Sequence, residues 1–113
     1  LLSHDLQGNA RARGDQLFGL LAPLAKLDAV GELRGRGLMI ALEMVRPGGD
    51  VPAPEAAAAV LEGTRRRGLL VGRGGLGGNV LRIAPPLSVT ADEAGRAGAI
   101  LVEAVEEVDA ALR

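Results

Sequence analysis

The chain has no cysteine, no tryptophan and no tyrosine, and Phe18 is its only aromatic residue. Without Cys it has no disulfide, no thiol nucleophile, no thiolate-bound zinc and no iron–sulfur cluster. Without aromatic platforms it has no means of stacking single-stranded bases. Excess charge of either sign is missing too: the formal net charge is −1, which exerts no general pull on nucleic acid. No apolar run approaches the roughly 20 residues that span a bilayer. The opening Leu1-Leu2 carries no Met and no basic segment leading into an apolar stretch. The chain therefore reads as a piece of a longer protein and not as one with a signal peptide.

What is present suits one small domain. The 113 residues are 48% hydrophobic and 24% charged, an ordinary globular composition that allows one modest core. Leu, Val, Ile and Ala must fill that core, and the many small side chains let backbones approach closely.

Helical spacing of Leu17, Leu20, Leu21 and Leu24 predicts a first helix over roughly 6–27, with a break near Ala22 imposed by Pro23. Glu32-Leu33-Arg34 and the apolar run Leu38 to Val45 predict two antiparallel strands joined at Gly35-Arg36-Gly37. The second strand is expected to be central and covered on most of both faces. Pro54 suits a first helical position, Glu55 the positive end of the dipole, Arg65-Arg66-Arg67 the last turn and Gly68 the residue beyond. Leu69-Leu70-Val71 and Val80 to Ala84 read as strands on either side of a glycine-rich stretch, the second stopped by Pro85-Pro86. Thr90-x-x-Glu93 is a capping box for a last helix. That helix buries Ala97, Ile100, Leu101, Ala104, Val105, Val108, Ala111 and Leu112 and turns Glu103, Glu106, Glu107 and Asp109 outward. The expected fold is α/β (α+β), in the order α-β-β-α-β-β-α. It holds a small antiparallel or mixed four-stranded sheet with the helices packed on one face.

Few residues carry chemistry. Gly72-x-Gly74-x-x-Gly77 matches a dinucleotide fingerprint as text, but that motif works by leading into a helix N-terminus, and here the next element is a strand. It is read as a loop between strands. Arg65-Arg66-Arg67 are explained by the helix dipole, and Arg34 and Arg36 by their place beside a turn. His4, the only histidine, has no acidic partner at useful spacing, and Lys26, the only lysine, stands beside Asp28 at a helix end where it is solvated. No catalytic group and no metal site is expected. Arg82 is the informative residue: on a strand it shares a face with Val80 and Ala84 just before Pro85-Pro86. There its planar fork can meet a carboxylate with little competition from water.

Three segments together resemble a known family. They are Gly35-Arg36-Gly37-Leu38-Met39-Ile40, Arg67-Gly68-Leu69-Leu70-Val71-Gly72, and Asn79-Val80-Leu81-Arg82-Ile83-Ala84-Pro85-Pro86-Leu87 followed by Thr90. In order and spacing they resemble the C-terminal small domain of class III pyridoxal-phosphate-dependent aminotransferases of fold type I, most like the alanine–glyoxylate and 4-aminobutyrate types. The resemblance implies that residues 1–113 are one domain of a larger aminotransferase whose large, cofactor-binding domain is absent. It implies pyridoxal 5'-phosphate as cofactor, bound by that large domain. It also implies an amino acid and a 2-oxo acid as substrates, a homodimer, and a cytoplasmic enzyme without nucleic-acid or membrane partners. The fragment alone is expected to be inactive. By the same resemblance Arg82 grips the substrate carboxylate. A different reading makes the chain a freestanding small-ligand-binding or regulatory module that uses the glycine-rich loop 72–79, and a third makes it a dimerisation domain.

Overall fold

The computed structural model describes residues 6–112; His4 lies outside them. The first helix, α1, spans Leu6–Leu21 and gives way at Pro23 to a 3-10 helix over Ala22–Lys26, the break that a ring without an N–H imposes. Strands β1 (Val30–Arg36) and β2 (Met39–Met44) form a hairpin. Its turn holds Gly37 at φ 58°, a left-handed position that suits glycine. Helix α2 runs Pro54–Arg66 and ends at Gly68, φ 88°, with the Leu69 N–H reaching back to the Thr64 carbonyl at 2.8 Å. Strands β3 (Gly72–Gly74) and β4 (Val80–Ile83) follow, then α3 over Ala91–Leu112. No helix among the described residues is long and apolar enough to cross a membrane.

The four strands form one sheet in the order β1-β2-β4-β3, antiparallel at every pairing. The expected α+β class, its four strands and its helices hold, and the sheet is wholly antiparallel. Helices α1 and α2 pack against the sheet, and α3 packs against both of them. The core joins Leu17, Leu21 and Leu24 to Ile40, Leu42, Met44, Leu81 and Ile83, and to Leu101, Ala104 and Val105 of α3. At the N-terminus of α3 the capping box is complete. The Thr90 N–H donates to Glu93 Oε1 at 2.9 Å and the Glu93 N–H to the Thr90 hydroxyl at 3.1 Å. The Thr90 backbone N–H foremost, and the Thr90 hydroxyl next, hold the Glu93 carboxyl below its ordinary pKa.

Four expectations need correction. Leu69-Leu70-Val71 is not a strand; β3 is Gly72–Gly74, inside the glycine-rich stretch. Leu69 and Val71 instead pack against the core from an irregular segment. β2 is covered on one face only: Ile40, Leu42 and Met44 are buried, while Met39 stays 73% exposed and Ala41 and Glu43 half-buried. Ala111 and Leu112, at the end of α3, are exposed and do not belong to its buried stripe. Asp109 does not face outward. It is 1% exposed and accepts a hydrogen bond from the Ala29 N–H at 2.9 Å, tying the end of α3 to the chain entering β1.

Candidate functional site

Alternation along the strands sends every second residue away from the helices, and pairing across the sheet lines those residues up in rows. One row reads Arg34, Ala41, Arg82, Gly72 across all four strands; the next reads Glu32, Glu43, Val80, Gly74. Small Ala41 separates the two arginines, and the edge strand contributes glycines without side chains. A concavity of about 440 Å³ results on the open face, lined by Arg34, Arg36 and Arg82, by Met39, Ala41, Val80 and Ala84, and by the adjoining backbone. Its volume is that of a small-molecule site, and no carboxylate is among the lining residues.

The three guanidiniums are not equivalent. Glu32 and Glu43 stand opposite one another across β1 and β2, an unfavourable pair of like charges. Arg34 answers them, with Nη1 3.1 Å from Glu32 Oε1 and 3.8 Å from Glu43 Oε2. Its charge is therefore taken. The Arg82 guanidinium makes no hydrogen bond or ion pair among the described residues. It is exposed, yet it belongs to the wall of the concavity and does not stand apart in solvent. Arg36, at the hairpin end, is also without a partner among the described residues. An unpaired planar fork beside apolar walls is suited to a bidentate carboxylate or phosphate.

The register that places Arg82 depends on a residue missed in the sequence. Asn79 is buried; its Nδ2 donates to the Met44 carbonyl at 2.8 Å while its own carbonyl accepts the Met44 N–H at 2.8 Å. These bonds lock the start of β4 to the end of β2. An asparagine just before a strand was the available signal. Asp109 had a clearer one, since it lies four residues beyond Val105 on the apolar stripe of α3.

The other charged motifs lie elsewhere. Arg67 reaches from the end of α2 to Glu103 at 3.0 Å and Glu107 at 3.3 Å of α3, and Arg66 to Glu107 at 3.5 Å. The hydrogen bond that Arg67 donates to Glu103, with Glu107 in support, raises the Arg67 pKa above its ordinary value. The arginine run thus fastens two helices together. Lys26 is exposed on the 3-10 helix and does not line the concavity. The glycine-rich stretch forms β3 and a turn in which the Gly78 N–H bonds the Gly75 carbonyl at 3.1 Å. It leads straight into β4, so no helix N-terminus stands behind it.

Known proteins resemble this chain in sequence and in fold. "Alanine–glyoxylate aminotransferase 2 homolog 2, mitochondrial" from Arabidopsis thaliana is 39% identical over 103 residues, covering 89% of this chain and 21% of that protein. The structure of a phospholyase from Arthrobacter in complex with phosphoethanolamine matches with a TM-score of 0.81 and 32% identity, over 96% of this chain and 25% of that one. A transaminase with L-alanine matches with a TM-score of 0.83 and 27% identity, over 96% and 25%. The chain thus spans about a fifth of the length of the curated relatives it matches. The family model for class-III aminotransferases matches residues 1–105, and the chain belongs to the class-III aminotransferase family.

Proposed function

We propose that residues 1–113 are the C-terminal small domain of a longer class III aminotransferase that moves an amino group from an amino acid to a 2-oxo acid. In this reading Arg82 grips the substrate carboxylate. The observation that carries it is the Arg82 guanidinium, unpaired among the described residues in the wall of a concavity that no carboxylate lines. Amino acid and oxo acid share a carboxylate, so one bidentate anchor serves both and fixes the substrate Cα against the reacting centre.

The family implies pyridoxal 5'-phosphate, and the described residues do not form a site for it. Lys26 is exposed and away from the concavity. The glycine-rich segment ends in a strand, and at the N-terminus of α3 the Glu93 carboxylate accepts the Thr90 N–H. The cofactor is accordingly assigned to the large domain of the same protein. The chain's own contribution is binding and orientation, and by itself it is expected to be inactive. The homodimer and the cytoplasmic setting belong to the same proposal and rest on the family resemblance alone. The phospholyase among its structural relatives makes the reaction itself worth testing. The full-length protein, purified with its cofactor, should show an absorbance band that shifts on adding an amino acid and returns on adding a 2-oxo acid. A band that ignores both would rule out amino transfer.

A further inference from the structure

Glycine occurs on a strand for one of two reasons: its backbone takes a left-handed φ, or a neighbour needs the space of a side chain. The turn after β3 uses the first reason, with Gly75 at φ 84° and Gly78 at φ 66°. Gly72 and Gly74 have no such φ, so the backbone does not demand glycine at either. At Gly74 the space is taken. A Cβ there would stand 2.7 Å from Cζ and 2.9 Å from Nε of Arg82, and closer still to Nη2. At Gly72, one pleat away on the same face, a Cβ would meet only the Arg82 Cβ at 3.7 Å and its carbonyl at 3.8 Å, an ordinary contact.

We propose that Gly74 is a positioning residue for the substrate carboxylate: its missing side chain is the seat on which the Arg82 guanidinium lies. This rests on the reading of Arg82 as the carboxylate anchor and adds what holds that anchor in place. An arginine has many rotamers, and ordering a free one on binding costs affinity. With its guanidinium over Gly74, the fork would have less of that freedom left to lose when a substrate arrives. The seat also explains how an arginine without any ion-pair partner among the described residues keeps its place in the wall of the concavity.

A methyl at position 74 displaces the flexible end of a side chain, not backbone, so it should evict the guanidinium with little effect on folding. The test uses the full-length enzyme with its cofactor and L-alanine as amino donor. Gly74→Ala, Gly74→Ser, Gly72→Ala, Arg82→Ala and the double variant Gly74→Ala/Arg82→Ala are compared by KM, kcat and Tm. Gly74→Ala and Gly74→Ser should raise KM about two- to tenfold, the range set by ordering one long side chain. kcat and Tm should stay near wild type, and Gly72→Ala should leave KM within about twofold. Once Arg82 is already alanine, adding Gly74→Ala should change KM no further. A wild-type KM in both Gly74 variants overturns the seat, as does a penalty that persists without Arg82 or a lowered Tm in place of a raised KM. If Arg82→Ala itself leaves KM unchanged while the enzyme turns over, the anchor reading falls and the seat with it.

Discussion

The two faces of the sheet are made by the same four strands and differ in what they leave over. On the helical face, Leu42, Met44 and Leu81 are fully enclosed, and Asn79 and Asp109, polar groups drawn into the interior, hold backbone partners. On the open face Arg34 is neutralised by Glu32 and Glu43, but Arg82 keeps an unspent charge beside apolar walls. A fold that gives the buried Asn79 and Asp109 backbone partners yet leaves Arg82 unpaired among the described residues at a concavity separates what holds it together from what it leaves available for binding, and substitutions on the two faces should report different quantities.

The largest effect belongs to the enclosed face. Leu81→Ala removes a side chain with no exposed surface and should cost about 2–5 kcal/mol, read as a lowered Tm of the full-length protein. Asp109→Ala should cost about 1–3 kcal/mol, because the Ala29 N–H is left buried without its acceptor. A near-wild-type Tm for either variant would break the contrast between the faces. Thr90→Ala should cost about 1 kcal/mol by uncapping α3. The smallest effect is one of pH. With its folded pKa lowered, Glu93 contributes stability above the unfolded carboxylate range, and this is lost as pH falls through the lowered value. Glu93→Gln should therefore flatten the acid limb of Tm against pH below about pH 4. A limb unchanged by the substitution would remove Glu93 from the account.

Much of the fold was legible because its signals are local. Pro23, Pro54, Gly68 and the Thr90–Glu93 box each act within a turn of the chain, and each stands where the sequence predicts. The errors arose where distant pairing decides. Leu69-Leu70-Val71 has the composition of a strand, yet Gly72–Gly74 form one because β4 offers partners in register, and pairing overrides propensity. β2 looked doubly covered because Ala41 and the methionines count as apolar, whereas Met39 and Ala41 border the concavity. Arg82 was legible as a candidate from its small neighbours and the prolines beyond it. That Arg34 is spent and Arg82 is not depends on the row Arg34, Ala41, Arg82, and no local pattern encodes that row.

The most direct measurement is the KM of the full-length enzyme for its amino donor in Arg82→Ala, set beside Arg34→Ala. Losing a charge-assisted bidentate pair costs about 1.5–3 kcal/mol, so Arg82→Ala should raise KM about ten- to a hundredfold at an unchanged Tm. Arg34→Ala, whose guanidinium already serves two glutamates, should move it less. Equal effects of the two substitutions, or a KM that Arg82→Ala leaves where it was, would contradict the assignment of the carboxylate anchor.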